Sequence, residues 1–411
     1  MSISQKDRAR LRQLAAHQME LANSPLMQSR IADWKALNNF RMNRPMVFLE
    51  MGTFEHEVIP KRLQCEGERA RGIEAQLLRM TLQHELFDDD FVVPNYFPIG
   101  LGVDFELFQA SKREFAEKVA GKIALGHQFV HSINDLEEDW EQLGHSSWSV
   151  DREGPKEWQD FIDELFGDIL PTKVVMNALY SVPTQKIVHI MGMEAMFMSM
   201  YDYPELFMKM MSRAAEETTA YFKFLADEKL LLPTTDQQRL GQGTYCFTEE
   251  LPSEIPAGGL TSKDVWGFMD SQETVGMSPE LFHEMIFPCY KAISSQYGLL
   301  SYGCCEPVHS IWDDLQTLDN LRKVSISPWC DQTFMGERLR GRKTVFHRKP
   351  SPNYLGVDVT LDEDAFRAHI METVNAAKGC TLEITQRDVY TIHGNEEKAR
   401  RYVEIIRECT R

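Results

Sequence analysis

Short apolar runs separated by longer amphipathic stretches recur along this chain. PMVFLEM (residues 45–51), the WGFM of 264–273, the opening of 298–331, its later KVSIS, the VFH of 343–352 and the TLEIT of 381–394 are all of this kind. Each is short, rich in β-branched or aromatic residues and bounded by Gly, Pro or charge, which reads as a strand buried on both faces. FVVPNYF (91–97) and a run within 168–182 are further candidates. Between them, apolar positions at helical spacing mark 66–86, 112–143, 185–232, 278–294, 362–378 and 396–407 as helices. About eight strands alternating with helices predict an α/β fold, a (β/α)8 TIM barrel rather than an open sheet.

The first part of the chain stands apart from this alternation. Residues 5–40 read as helix, with Leu11, Leu14, Ala15, Met19 and Leu21 among many charges, and Arg44 and Pro45 end it. The division is therefore an N-terminal helical extension, 1–41, and a barrel, 42–411. Such an arm lies against the main domain or against a partner, and leaves a homodimer open. The methionine-rich stretch 185–232 reads as core filling, split into two helices at Pro204. The polar, Gly- and Pro-containing 233–259 reads as a long loop over an active face.

Charge narrows the functions available. Among 411 residues the formal net charge is −18, which argues against a nucleic-acid surface, since phosphates need Lys and Arg. No apolar run approaches a membrane span and the first residues lack a signal-peptide pattern, so the expectation is a cytoplasmic protein with no membrane partner. The eight cysteines are dispersed, unlike a disulfide framework. Neither a GxGxxG nor a GxxxxGK[ST] loop occurs, which speaks against dinucleotide and NTPase sites.

Reactive side chains cluster where strands end. Cys304, Cys305, Glu306 and His309 follow one strand of 298–331, and Cys330 and Asp331 follow the next. In a barrel these exits share one mouth. Cys304 with Glu306 or His309, Cys330, and Cys380 or Asp388 can supply the ligands that zinc needs; the same thiols can equally be buried or nucleophilic. Glu273 is a candidate general acid or ligand, Tyr302 and Tyr390 candidate donors to substrate oxygens, and Arg348 and Lys349 candidates for an anionic group.

Five segments carry a resemblance: RPMVFLEMG (44–52), WGFMDSQE (266–273), YGCCEP (302–307), LRKVSISPWCD (321–331) and TLEITQRDVYTIHG (381–394). Together they resemble the uroporphyrinogen decarboxylase superfamily over most of the chain after residue 42. That resemblance implies a (β/α)8 barrel and either of two activities, the decarboxylases of haem synthesis or the zinc-dependent methyltransferases that work with corrinoid proteins. The decarboxylases carry an arginine-rich segment after the first strand; here it is LEMGTFE (49–55), whose Glu50 and Glu55 would repel a polycarboxylate. The methyltransferases have a His-x-Cys zinc motif and a distal Cys. Here Cys304 matches the first cysteine, Tyr302 stands at the histidine position, and Asp388 or Cys380 falls near the distal one.

The resemblance therefore implies a methyltransferase moving a methyl group between a small methylated substrate, such as a methoxylated aromatic, and a separate corrinoid protein. A decarboxylase or lyase of the same superfamily is the alternative. Glu273, Tyr302 and Tyr390 are the expected catalytic residues, and Cys304, Glu306, Cys330 and Asp388 the expected zinc ligands. The chain has no DxHxxG corrinoid motif of its own, so the corrinoid arrives on the partner.

Overall fold

The computed structural model describes residues 3–109, 111–115 and 127–411. Seven strands, β1 (Met46–Leu49), β2 (Leu179–Tyr180), β3 (Trp266–Met269), β4 (Leu299–Tyr302), β5 (Leu321–Ile326), β6 (Val345–Arg348) and β7 (Leu382–Gln386), form one sheet in the order β2-β3-β4-β5-β6-β7-β1. Every pairing in it is parallel. The first strand pairs with the last, as in a curling barrel wall, and helices cover the outside. The side chains of β1, β3 and β4 are buried throughout, which explains why these strands show apolar runs instead of alternation.

The eight-stranded ladder expected from the sequence is seven strands among the described residues. Beside β1, where a second strand is expected at 91–97, runs a segment that substitutes side chains for backbone. Asp90 Oδ2 accepts the N–H of Val47 at 2.7 Å and Asp89 Oδ2 that of Leu49 at 2.9 Å, while the Asp90 N–H donates to the Val47 carbonyl at 2.8 Å. Only Phe97–Ile99 becomes strand, and it pairs with Thr172–Val174 outside the main sheet. The triple aspartate explains the difference: its carboxylates compete for the donors that a ladder would use. Burial pushes the Asp89 carboxyl up to about 6, although the Leu49 and Gln83 donors favour its charged form.

Two other expectations are corrected. The helix expected over 112–143 is, in its described parts, an antiparallel pair, Lys112–Phe115 with His127–Val130, followed by turns and the short 3-10 helix Trp140–Gln142; residues 116–126 lie outside the described residues. Arg113 and Phe129 stand opposite each other across that pair, the guanidinium 5.0 Å from the ring centroid, so the charges read as a helix face serve cross-strand contacts.

The second correction concerns 233–259, which is not loop throughout. Arg239–Gly241 and Thr244–Tyr245 form a hairpin laid against the sheet. Its turn residues, Gln242 and Gly243, both have positive φ (56° and 74°), as a two-residue type I′ turn requires. A Cβ at Gly243 would sit 2.6 Å from Thr385 Cγ2 of β7 and 3.3 Å from Phe48 of β1. Only a residue without a side chain lets the tip lie that close.

The N-terminal helices Gln5–Ala22 and Pro25–Asn38 pack onto the main body. Trp34 is fully buried and donates its indole N–H to the Asp90 carbonyl at 2.9 Å; Leu11 and Ala15 lie in the main core. The methionine-rich region is two helices, Pro183–Asp202 and Pro204–Asp227, with Met191, Met196, Met200, Met210 and Met211 buried and Met193 and Met198 exposed. Beneath the rim the core holds a fully buried ion pair, Lys323 Nζ to Glu383 Oε2 at 2.6 Å, with Thr244 Oγ1 also accepting from Lys323.

Candidate functional site

Parallel strands end together, so their exits place side chains from distant parts of the sequence on one rim. Glu50 follows β1, Asp270 and Ser271 follow β3, Cys304 to Glu306 follow β4, Lys349 follows β6, and Arg387 and Asp388 follow β7. The exit of β4 turns at Gly303, φ 99°, packed against Ser325 and Val308. Glu306 then folds back under the turn. Its Oε1 accepts the N–H of Ser271 at 2.9 Å and its Oε2 that of Cys304 at 2.8 Å, tying the ends of β3 and β4 together.

Cys304 and Cys305 present a paired thiol, their sulfurs 3.5 Å apart. Arg387 Nη1 lies 3.5 Å from the Cys304 sulfur and its Nε donates to Glu50 Oε2 at 2.7 Å. The hydrogen bond from Cys305 lowers the Cys304 thiol most; burial opposes it, and Lys349 and Arg387 help, leaving Cys304 at about 7. Negative charge on the pair is thus centred on Cys304. Cys305 is pushed up by that neighbour and by burial, and points to Asp388 Oδ2 at 3.8 Å. Lys349 is almost fully buried, burial lowers its pKa, and its ammonium donates to Gln242 Oε1 at the hairpin tip, 3.0 Å away.

The most perturbed carboxyl at the rim is Asp270. It is 1% exposed, and its Oδ1 has no hydrogen-bond partner. Burial, then the charges of Glu306, Cys304 and Glu273, push it up to about 9, so it is a carboxylic acid at neutral pH. Glu273 is also raised, by burial first, and accepts from Thr184 Oγ1 at 2.9 Å. Tyr290 joins the two, sharing a hydrogen bond with Thr184 at 2.8 Å and donating to the Asp270 carbonyl at 2.7 Å.

The expected site residues fall into separate places. Tyr302 is fully buried, hydrogen-bonded to Ser271 Oγ at 2.6 Å and edge-on to Tyr290. Tyr390 is 57% exposed on the loop after β7. Arg348 is buried and donates to the Ile326 and Ser327 carbonyls, a packing role, whereas its neighbour Lys349 reaches the thiols.

The expected zinc set does not fit. Both oxygens of Glu306 are taken by backbone donors, and Cys304 already faces a guanidinium, which a dication would displace or repel. Cys330 is buried, and burial pushes its thiol up to about 12. Among the described residues no three of His, Cys, Asp and Glu stand in a metal-holding group.

Asp270, Arg387, Thr184 and Gln242 escaped the sequence reading. Asp270 had a signal, since it stands in DSQE directly after an apolar run; the strand ends one residue earlier than the reading that favoured Glu273. The other three are brought in by pairings across the fold and carried no local signal.

No protein-family model matches the chain, and no curated protein matches it. Among solved structures, a methyltransferase from Methanosarcina mazei aligns over 93% of this chain and 98% of its own, with 12% sequence identity and a TM-score of 0.48.

Proposed function

We propose that the chain is a methyltransferase that removes a methyl group from the oxygen of a small methylated substrate, such as a methoxylated aromatic, and passes it to a corrinoid carried by a separate protein. The single observation that carries this reading is Asp270, a buried carboxyl at the rim whose Oδ1 has no hydrogen-bond partner and whose pKa burial raises. Breaking a methyl–oxygen bond leaves negative charge on oxygen, and a proton delivered there is what makes an alcohol or phenol leave. The motif resemblance at 266–273 and 302–307 points the same way.

In this reading Asp270 gives its proton to the ether oxygen as the methyl–oxygen bond breaks, and solvent later restores it. Glu273, held by Thr184, is the neighbouring carboxyl through which that proton returns. Cys304, with Arg387 and Lys349, forms a fixed charge group beside the acid. The corrinoid supplies the nucleophile that takes the methyl group. No step needs zinc.

The test is to incubate the full chain with 4-methoxybenzoate and a reduced corrinoid protein, and to follow the demethylated phenol. Asp270→Asn should lower turnover by about 10²-fold or more while substrate binding persists. Turnover that survives in Asp270→Asn would sink the acid role. Carbon dioxide release without demethylation would turn the assignment to the decarboxylase alternative.

A further inference from the structure

Between β1, the helix Glu68–Phe87 and the hairpin lies a cavity of about 250 Å3, walled by Phe48, Glu50, Gly52, Arg79, Arg239 and Gln242 among others. It borders the reactive cluster, because two of its wall residues are bonded to that cluster. Glu50 holds Arg387, and Gln242 accepts from Lys349. Its volume corresponds to roughly eight waters at about 30 Å3 each, room for one substituted ring and far too little for a tetrapyrrole.

The charges on its walls do not balance. Arg79 is spoken for by Glu55, with Nη2 to Oε1 at 2.7 Å, and Glu50 by Arg387. Arg239 has no such partner. Its guanidinium is framed by three rings, 5.0 Å from the centroid of Phe48, 5.4 Å from Phe91 and 5.0 Å from Tyr245. Among the described residues no carboxylate pairs with it and its side chain donates no hydrogen bond. Rings stabilise the cation through their faces but accept no N–H hydrogen bonds of ordinary strength, so the planar fork of donors is left unused. The hairpin fixes its backbone: the Arg239 N–H donates to Asn177 Oδ1 at 2.9 Å and its carbonyl accepts from Ala178 at 3.0 Å. A fixed guanidinium without a counter-ion, in a protein of net charge −18, is a site for an anion supplied from outside.

We propose that this cavity binds a small carboxylate-bearing substrate, with Arg239 gripping the carboxylate and the opposite end of the molecule directed toward Glu50 and Gln242, on the side of the reactive cluster. The inference rests on the proposed function for the location of the reacting end, but the carboxylate preference is a property of binding alone. Gly52, Gly241 and Gly243 line the same wall, and a Cβ at Gly52 would meet nothing within 4 Å, so the ring has open space beside the backbone.

The experiment is calorimetric titration of the full chain with benzoate and with benzamide, which differ in charge and little in shape. Benzoate should bind at least about tenfold tighter, and the preference should shrink as ionic strength rises. Arg239→Met should erase the preference while circular dichroism shows an intact fold, Arg239→Lys should keep part of it, and Asp270→Asn should keep it whole. Equal affinity, no binding of benzoate, or a preference that survives Arg239→Met overturns the proposal. An Arg239-dependent preference together with no demethylation of 4-methoxybenzoate overturns the methyltransferase reading and leaves this one standing.

Discussion

Nη1 of Arg387 lies 3.5 Å from the sulfur of Cys304, and the two residues are 83 positions apart in the chain. The contact joins the exits of β4 and β7 and places a fixed positive charge against a thiol that sits at about 7. The rate at which iodoacetamide alkylates Cys304 should therefore rise with pH through an inflection near 7. Arg387→Gln should move that inflection upward by about one unit, equivalent to about 1.4 kcal/mol, read from the pH profile of alkylation by mass spectrometry. An unchanged inflection would remove Arg387 from the account.

Asp270 makes the site sensitive to pH in the opposite direction. Its pKa in the folded chain, about 9, stands above its unfolded value of about 4. The folded state therefore binds the extra proton, and the stability linked to it is complete below pH 4 and lost as pH rises through 9. Asp270→Asn, always neutral, should be more stable than the natural protein at pH 8 by on the order of a few kcal/mol, with the difference vanishing near pH 4. Thermal melts at the two pH values check the sign.

The buried pair Lys323 and Glu383 is fully shielded from water. Lys323→Met leaves a carboxylate alone in the core and should cost about 3–5 kcal/mol, seen as a lower denaturant midpoint. The double variant Lys323→Met with Glu383→Leu should recover most of that loss. A double variant as unstable as the single one would show that Thr244 and the hairpin, not the charge, set the cost.

Gly243 tests the hairpin. Alanine there meets both a φ of 74° and a Cβ 2.6 Å from Thr385, and should cost about 1–3 kcal/mol. Because Gln242 beside it accepts from Lys349, the same change should also slow alkylation of Cys304. A variant that is destabilised yet alkylates normally would separate the hairpin from the site.

Parts of this arrangement are legible in the sequence. Apolar runs such as those of β3, β4 and β5 announce strands buried on both faces, and a parallel sheet follows from their alternation with helices. The region 112–143 misled because charged residues at helical spacing also suit a two-stranded ribbon, and the deciding contact, Arg113 on Phe129, lies across the strands. Nothing local to Asp89 and Asp90 shows that their carboxylates will stand in for a ladder. The expected zinc ligands are not gathered into one group for a similar reason. Glu306 is the right residue type, but its oxygens are already used by Ser271 and Cys304. Asp270 owes its perturbation to burial first and then to charges arriving from β4, which no window of sequence contains.

The carboxylates beside β1 also bear on whether that side of the sheet is open to pairing by another strand. An open wall of parallel strands exposes, at its rim, the donors that recruit a further strand from another molecule. Here the N–H groups of Val47 and Leu49 are occupied by Asp90 and Asp89, and Arg44 and Arg407 hold Asp90 in place. A strand approaching that side finds no free donors and two side chains in its path, so the gap in the wall does not become a seed for sheet-to-sheet growth.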